Sequence, residues 1–497
     1  MATPRDLYRP SLTLLTDLYQ LTMAYGYWKA GMHERESVFN LFFRRNPFQG
    51  GFSIACGLSY LIGYLKEYHF DQSDLDYLSG LRGNDGKPLF EEAFLSYLQD
   101  MKLRCDIDAI REGTVVFPHE PLVRVQGPIL QAQILETAFS NIINFQTLIA
   151  TKAARVCMAT RGEPVLEFGL RRAQGIDGGL AASRAAYIGG CAATSNVLAG
   201  KLFDIPVRGT HAHSWVMSFD SEEEAFETYA EAMPNNCVFL VDTYDTLEGV
   251  HRAVEIGKDL RARGHEMVGI RLDSGDLAYL SIEARTILDE AGFENSTIVA
   301  SNDLDERIID SLKDQGATIA VWGVGTKLVT GNDQPALGGV YKLSAIRGPD
   351  ETWKYKLKLS EQAIKINNPG VLQVRRYYDQ SQFIADAIHD IGSDLSQGCT
   401  IVDPMDPTRR KEIKDDMLYV DLLEPIFREG TCVYDEPSIN DKRQHALEQL
   451  ENLHAGIKRF TNPHEYPVGL ESSLHELKTR LILEARSRTV RHRNRKS

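Results

Sequence analysis

The feature that most constrains this fold is a regular alternation of short apolar runs and helical segments between residues 164 and 325. The apolar runs read PVLEFG (164–169), PVRGTHAHSWV (206–216), CVFLVD (237–242), MVGIRLD (267–273), TIVASND (297–303) and TIAVWGVG (318–325). Strands that alternate with helices indicate right-handed βαβ units and a parallel sheet. We therefore predict an α/β fold organised around these strands.

Polar residues and a glycine lie near the carboxyl ends of the predicted strands: Glu167, His213, Asp242, Asp273, Asn302 and Gly323. In a barrel of parallel strands, this end carries the active site. The countable strands are fewer than the eight of a complete barrel. We therefore expect an irregular or partial (β/α) barrel, with a doubly wound open sheet as the alternative.

The flanking regions have different patterns, and 497 residues favour several domains. Residues 1–150 mix amphipathic helices with short strands and predict an α+β domain, followed by the barrel domain over 151–340. GTVVFPHEPLVRVQGP (113–128) is typical of an antiparallel sheet edge. Residues 341–433 are strand-rich and are expected to return to the N-terminal domain. Residues 434–497 predict a helical, charged C-terminal tail.

Net charge, apolar runs and cysteine spacing limit which molecules the protein is expected to bind and where it is expected to act. The net charge of −14 argues against nucleic acid as the main partner, but it allows anionic small molecules held by a few local arginines. No apolar run approaches the ~18 to 20 residues of a membrane helix, and the N-terminus lacks a signal-peptide pattern. Seven dispersed cysteines without a CxxC pair predict reduced thiols and a cytoplasmic location. The basic end RSRTVRHRNRKS (486–497) is interpreted as solvated, with RNA or membrane contact as the alternative.

GTHAHSWV (209–216) contains two histidines on a predicted strand, so both imidazoles would share a face. Two histidines supply too few ligands for a catalytic zinc ion, which takes three from the protein. We interpret the motif as one working histidine that accepts a phosphoryl group or moves a proton. A metal site, as in a metal-dependent barrel hydrolase, and simple core packing remain as alternatives.

Two loops after predicted strands have residues suited to a phosphorylated ribose. RLDSGDL (271–277) places Asp273 and Asp276 where a carboxylate can bind ribose hydroxyls or share Mg²⁺ with a pyrophosphate. Its alternative reading is a helix cap supplied by Asp273 or Ser274. WGVGTKLVTG (322–331) offers Gly323, Gly325 and Thr326 as a phosphate cradle, or else an ordinary turn.

Two further segments contain aromatic and cationic residues that we consider as candidates for substrate binding. In EFGLRRAQGIDGG (167–179), Arg171 and Arg172 adjoin Phe168, and such a pair could bind an anionic aromatic ring. TDLYQLTMAYGYW (16–28) predicts a helix on which Tyr19 most simply packs in a core.

Taken in order, these motifs resemble the nicotinate phosphoribosyltransferase family. The segments that carry the resemblance are TDLYQLTMAYGYW, FFRRNPFQGGFSIACGL, EFGLRRAQGIDG, TSNVLAGKLFDIPVRGTHAHSWVMSF, LVDTYDTLEG, IRLDSGDL, SNDLDE and GVGTKLVTGNDQPALGGVYKL. They run from about residue 13 to residue 345, with a weaker match at KLKLSEQAIKINNPGVLQVRR. One departure is in GGCAATSN (189–196), where the family often has Phe-Asp in place of Cys191 and Ala192.

The resemblance implies a reaction: nicotinate and 5-phosphoribosyl 1-pyrophosphate give nicotinate mononucleotide and pyrophosphate, coupled to ATP hydrolysis, in NAD salvage. It also implies a type II phosphoribosyltransferase fold, a homodimer with shared sites, and Mg²⁺ held by Asp273 and Asp276. Related enzymes that use nicotinamide or quinolinate are the alternative.

The resemblance assigns roles to individual residues. It makes His213 the phosphorylated histidine and Asp273 the acid beside the ribose. Substrate contacts fall to Tyr19 (from the partner subunit), Phe168, Arg171, Thr194, Thr210, Arg271 and Ser274. Gly323, Gly325 and Thr326 would form the 5′-phosphate loop.

Overall fold

The computed structural model describes residues 12–349 and 351–494. Its helices, in chain order, are α1 (Leu18–Lys29), α2 (Leu58–Lys66), α3 (Gln72–Gly80), α4 (Glu92–Asp100), α5 (Ile129–Ile134), α6 (Glu136–Ala159), α7 (Gly175–Ile188), α8 (Val197–Phe203), α9 (His213–Val216), α10 (Glu222–Ala232), α11 (Thr246–Ala262), α12 (Leu277–Glu290), α13 (Glu306–Asp314), α14 (Thr326–Val329), α15 (Ile439–Glu451) and α16 (Ser472–Asn494). No helix among the described residues is both long and apolar enough to cross a membrane.

The strands, in chain order, are β1 (Glu36–Phe42), β2 (Ser53–Ile54), β3 (Asp106–Ile110), β4 (Val115–Val116), β5 (Val123–Pro128), β6 (Val165–Glu167), β7 (Ala193–Thr194), β8 (Val238–Leu240), β9 (Gly269–Leu272), β10 (Thr297–Asn302), β11 (Val321–Val324), β12 (Val340–Arg347), β13 (Lys354–Tyr355), β14 (Leu372–Asp379), β15 (Gln382–Asp390), β16 (Cys399–Val402), β17 (Arg410–Ile413), β18 (Leu418–Asp421), β19 (Leu423–Arg428), β20 (Thr431–Cys432) and β21 (Val468–Glu471).

The described residues divide into two compact units. The first comprises the described parts of 1–147, 336–437 and 448–497, and the second comprises 148–335 and 438–447. The second unit contains a parallel sheet in the order β7-β6-β11-β10-β9-β8. The strands β8 to β11 are buried along most of their length, as expected for a parallel sheet covered by helices.

Aspartates after three of these strands fix the loops at the carboxyl edge of the sheet. Asp245, Asp276 and Asp305 each accept backbone N–H bonds, of 2.8–3.1 Å, at the start of α11, α12 and α13. Such a cap stabilises a helix by about 1 kcal/mol, because it satisfies amides that have no partner within the helix. The caps therefore hold the loops between strand and helix, where the candidate site residues lie.

The expectation of a strand over 206–216 is wrong. Val207 makes a single parallel bridge with Thr194, the chain is then irregular, and α9 begins at His213. Gly209 and the polar residues around it lack the run of β-branched side chains that favours a strand. We call residues 206–212 the seam segment, because they contact β7 at Thr194 and the amide of Leu240 in β8.

The first unit contains an antiparallel sheet in the order β13-β12-β1-β5-β3-β19-β20. β12 and β19, from the strand-rich segment after residue 340, pair with β1 and β3. β5 lies between β1 and β3, so the expectation that 113–128 forms a sheet edge is wrong for this strand. The prolines at 118 and 121 lie before β5 and therefore do not interrupt its ladder.

A second sheet in this unit has the order β17-β16-β21-β15-β14-β18. β21 lies within the region 434–497, which was predicted to be helical, and it pairs with β15 and β16. The side chains of the basic end beyond Ser487, including those of residues 495–497, lie outside the described residues, as does the N-terminal segment before residue 12.

Candidate active site

The carboxyl ends of β8, β9 and β10 bring four polar side chains of the second unit together. The backbone N–H of Asp273 donates to Oδ2 of Asp242 over 2.8 Å, and Ser274 Oγ donates to the same oxygen over 2.6 Å. Ser301 Oγ donates to Oδ1 of Asp273. Neighbouring parallel strands thus form one polar cluster, as their shared edge predicts.

Arg271 connects this cluster to the seam segment. Its Nε donates to Ser301 Oγ over 2.9 Å, its Nη1 to Thr210 Oγ1 over 2.7 Å, and its Nη2 to Oδ1 of Asp273 over 3.1 Å. Its guanidinium carbon also lies 6.0 Å from the centre of the Phe168 ring. Because these contacts fix the planar guanidinium, it is preorganised beside an aromatic face, an arrangement suited to an anionic ring.

His213 faces the carboxylate of Asp242. The imidazole Nε2 lies 3.5 Å from Asp242 Oδ1, and 33% of the His213 side chain is exposed, against 1% for Asp242. Oδ1 of Asp242 is buried and has no hydrogen-bond partner within the described part of the chain. A buried carboxylate oxygen aimed at an accessible imidazole can orient that ring and stabilise positive charge on it.

His211 has a different environment from His213. Its Nε2 accepts the backbone N–H of Leu240 over 3.2 Å, and its ring packs edge-on against Tyr229 with centroids 4.8 Å apart. Burial lowers the pKa of His211 to about 4. The Nε2 lone pair is occupied by an amide, so in this arrangement Nε2 cannot bind a metal ion, and the two histidines do not form a pair of metal ligands.

Glu167 and Thr194 form a buried network. Thr194 Oγ1 donates to Oε2 of Glu167 over 2.6 Å, and Ser183 Oγ donates to the same oxygen over 2.8 Å. Gly169 N–H donates to the other oxygen. Both Glu167 and Thr194 are at most 1% exposed, so the predicted substrate-binding Thr194 uses its hydroxyl to hold β7 and the β6 loop in place.

The predicted phosphate loop is divided between a strand and a short helix. Gly323 pairs within β11, on one side with Ser301 and on the other with Leu166. A side chain at Gly323 would start 2.8 Å from the Phe168 ring, so glycine is needed here to let the ring lie flat on the strand. Gly325 precedes α14, whose first residue, Thr326, is exposed.

The structure shows local roles or positions for the remaining predicted residues. Asp276 uses Oδ1 to cap α12, so the capping role expected of Asp273 or Ser274 belongs to Asp276. Arg171 is exposed on a short 3₁₀ turn after Phe168. Tyr19 is 47% exposed on α1 in the first unit, with Glu136 and Thr137 beside its hydroxyl.

Sequence reasoning gave no role to two residues that complete the cluster, Asp242 and Ser301. Asp242 had been noted as a polar strand end, and its position after CVFLV was the available signal. Ser301 had no motif of its own. Among residues 12–349 and 351–494, no three His, Cys, Asp or Glu side chains are grouped so that they could hold a metal ion. A fold and cluster of this kind are typical of an α/β enzyme that acts on anionic substrates.

Comparison with known proteins identifies the family. The nicotinate phosphoribosyltransferase N-terminal domain matches residues 14–144, the nicotinate phosphoribosyltransferase family model matches 165–354, and the C-terminal domain matches 372–478. The chain is 45% identical to nicotinate phosphoribosyltransferase of Bacillus subtilis over 483 residues, covering 96% of both proteins. It is 33% identical to the human enzyme of that name, covering 93% of this chain and 95% of the relative.

Solved structures agree with this. Human nicotinic acid phosphoribosyltransferase superposes with a TM-score of 0.82 at 31% identity, covering 94% of this chain and 99% of that one. Nicotinate-nucleotide pyrophosphorylase from Pyrococcus furiosus has the same fold, with a TM-score of 0.68 at 21% identity over 91% of this chain and 97% of that one. The protein belongs to the nicotinate phosphoribosyltransferase family.

Proposed function

We propose that this protein transfers the 5-phosphoribosyl group of 5-phosphoribosyl 1-pyrophosphate to nicotinate, giving nicotinate mononucleotide and pyrophosphate in NAD salvage. We further propose that ATP hydrolysis drives the reaction through phosphorylation of His213. The observation that carries the proposal is the His213–Asp242 pair at 3.5 Å, beside Arg271 and Asp273 on one sheet edge. Family membership supports the overall reaction, and the pair supports the phosphorylated intermediate.

In the phosphorylation step, His213 is the nucleophile. Asp242 Oδ1 faces Nε2, which favours the tautomer with a proton on Nε2 and leaves the lone pair of Nδ1 free. A bond forms between Nδ1 and the γ-phosphorus of ATP as the bond to the β,γ-bridging oxygen breaks, and ADP departs. The Nε2 proton stays in place, and the cationic phosphoimidazole is stabilised by Asp242.

In the glycosyl step, the nicotinate ring nitrogen attacks ribose C1 as the bond from C1 to pyrophosphate oxygen breaks. Arg271 and Thr210 are positioned to bind the nicotinate carboxylate, while Phe168 provides a face for the ring. Holding both reactants in line is the main contribution of such a site, because it replaces a bimolecular encounter with a positioned one.

The remaining contacts concern the phosphorylated ribose. Asp273 and Ser274 are assigned to the ribose hydroxyls, the loop at Gly325 and Thr326 to the 5′-phosphate, and Arg171 to an anionic substrate group. Mg²⁺ fits beside Asp273 and the second oxygen of Asp276, since it binds one or two carboxylates together with substrate phosphates, and it would neutralise phosphate charge. Thr194 is assigned to supporting the site rather than touching substrate, because it is buried.

Three wider features are part of the proposal. The order β7-β6-β11-β10-β9-β8 places strands in cyclic chain order, which supports an irregular barrel opened at the seam segment. The exposed Tyr19 supports a homodimer in which it reaches the partner's site. None of the seven cysteines, all of which are among the described residues, forms a disulfide, which supports a reducing cytoplasmic location.

The test is a product assay with nicotinate, nicotinamide and quinolinate, each with and without ATP. We expect mononucleotide from nicotinate alone among the three, formed faster with ATP. Preferential use of another pyridine would refute the substrate assignment.

Labelling with γ-³²P-ATP tests the intermediate. The wild type and His211→Gln should form an acid-labile phosphoprotein, and His213→Ala should not. A label that persists in His213→Ala would exclude His213 as the carrier, because no other residue is assigned that role.

A further inference from the structure

A cavity of about 830 Å³ lies in the first unit, between β16, β17, β21 and the loop that precedes β21. We call it the C-terminal cavity. None of its lining residues belongs to the candidate active site. The side chains that define its chemistry are Arg409, Arg410, Lys411, Arg459, His464 and Tyr466.

The lining has an excess of positive charge. Four cationic residues line the cavity together with two acidic residues, Asp403 and Glu465. Both carboxylates lie against one cation, Arg409, at 3.7 and 2.8 Å from its Nη1. A positive concave surface on a chain of net charge −14 attracts anions locally, because field lines concentrate in a cleft.

Arg410, Lys411 and Arg459 have N–H groups that are not used in the hydrogen bonds described below. Arg459 is exposed and has no ion-pair partner within the described residues. Arg410 donates from Nε to the Pro407 carbonyl over 3.2 Å, which leaves its two terminal nitrogens available. Lys411 donates to the Ile384 carbonyl over 2.8 Å, and burial lowers its pKa. An anion in the cavity would therefore find guanidinium and ammonium donors that no carboxylate neutralises.

The walls of the cavity are held by the core of the unit. The Tyr466 ring stacks on Phe117 with centroids 4.1 Å apart, and its hydroxyl donates to buried Asp386 over 2.8 Å. A side chain at Gly469 would start 2.8 Å from the Cβ of Ile401, so only glycine lets β21 pass this close to β16. The cavity is therefore preformed, and a ligand would not have to order it.

We propose that the C-terminal cavity binds a small molecule that carries at least two phosphate or carboxylate groups. Its volume lies within the range of about 300–1,000 Å³ typical of small-molecule sites. Several cations around a concavity suit a compact polyanion better than a single monoanion, because each anionic group can take its own fork of donors. This assignment is independent of the transferase reaction proposed above.

The proposal is tested by calorimetric titration with sodium tripolyphosphate and, separately, with citrate, in magnesium-free buffer at about 0.1 M salt. The variants are Arg410→Gln with Arg459→Gln, and a matched control, Arg82→Gln with Arg263→Gln. The control removes the same charge from exposed arginines outside the cavity. Binding of tripolyphosphate but not citrate would assign the site to phosphates, and the reverse would assign it to carboxylates.

We expect the wild type and the control to bind alike, and the cavity variant to lose one equivalent of ligand or to bind it at least about tenfold more weakly. Identical titrations of all three proteins, or equal weakening in both variants, would overturn the proposal. Arg459→Gln alone keeps the test decisive if the double variant is poorly folded, because Arg459 makes no ion pair within the described residues whose loss could unfold the chain.

Discussion

Asp242→Asn is the most direct test of how the candidate site works. Oδ2 of Asp242 accepts bonds from the Asp273 amide and the Ser274 hydroxyl, while Oδ1 faces Nε2 of His213 at 3.5 Å. In the variant, the amide oxygen can keep the two accepted bonds, so the loop should hold its shape. The amide nitrogen then faces His213 and presents N–H donors to Nε2.

This substitution should invert the tautomer of the imidazole. Because Nε2 would have to accept, the proton would move to Nδ1, the atom proposed to attack phosphorus. The lost interaction is the attraction between the Asp242 carboxylate and the positive charge that develops on the His213 ring during phosphorylation. Taken as comparable to a hydrogen bond to a charged group, about 1.5–3 kcal/mol, its loss should slow phosphorylation by roughly 10- to 150-fold. Formation of nicotinate mononucleotide without ATP should change much less, because that route does not use the phosphohistidine.

The assay is the single-turnover rate of ³²P incorporation from γ-labelled ATP, with folding checked by circular dichroism. Asp245→Asn is the matched control, since Asp245 lies three residues further on and caps α11, a role that asparagine also performs. Labelling of the Asp242→Asn protein at the wild-type rate, or equal slowing in the control, would refute the role given to Asp242.

Three further predictions concern stability. Burial lowers the pKa of His211 to about 4, so the buried ring is neutral near pH 7. The contribution of this neutral ring to the free energy of unfolding is therefore present above the unfolded pKa of about 6.5 and is lost as pH falls toward 4. The unfolding free energy of the wild type should fall between about pH 7 and about pH 5, and in His211→Gln this fall should be smaller by about 2 kcal/mol. Urea titrations at several pH values measure it, and the same dependence on pH in both proteins would contradict the prediction. Burial, with Asp386 beside it, raises the pKa of Glu120. The contribution of Glu120 to the free energy of unfolding is therefore fully present below its unfolded pKa of about 4.3 and decreases as pH rises above it. Glu120→Gln should reduce this decrease, and a variant whose stability falls with pH as steeply as that of the wild type would count against the prediction. Thr194→Val should lower the free energy of unfolding by about 1–3 kcal/mol, because the buried carboxylate of Glu167 loses a hydrogen-bond donor. The kcat/KM of the folded protein should stay near that of the wild type. A large loss of kcat/KM at unchanged stability would instead show that Thr194 contacts the substrate.

The sequence predicted those parts of the second unit that depend on a repeated pattern. The runs ending at Asp242, Asp273 and Asp303 contain the strands β8, β9 and β10, because buried parallel strands appear in the sequence as nearly continuous apolar residues. The run at 206–216 failed because its apolar residues are interrupted by Gly209 and by histidines. The position of this segment depends on the β-bridge between Val207 and Thr194 and on the bond from the Leu240 amide to His211, and a periodic sequence pattern predicts neither contact.

The site was predictable where a motif marked it and not where tertiary contacts formed it. His213 and Asp273, whose roles remain proposals, were marked as candidates by motifs in the sequence, and both lie in the candidate site. Asp242 and Ser301 join the site only because neighbouring strands pair in the folded sheet. Asp242 then accepts a bond from Asp273, and Ser301 accepts one from Arg271, although each pair is about 30 residues apart in sequence. The resemblance to the family distinguished His213 from His211, and the structure adds a physical difference, the burial of the His211 ring against Tyr229.

The seam segment, which has a single β-bridge and no ladder, lies directly before His213, the residue proposed to carry the phosphoryl group. A strand held by ladders on both sides loses several hydrogen bonds when it shifts. The seam is instead held to β7 through the backbone at Thr194, to β8 through the imidazole of His211, and to β9 through Arg271, which donates to Thr210 Oγ1 and to the His211 carbonyl. Giving up the His211 bond would cost roughly 1 kcal/mol and break none of the ladders between the six strands. Under the phosphorylation proposed for His213, we therefore expect the seam segment to adjust more readily than the paired strands.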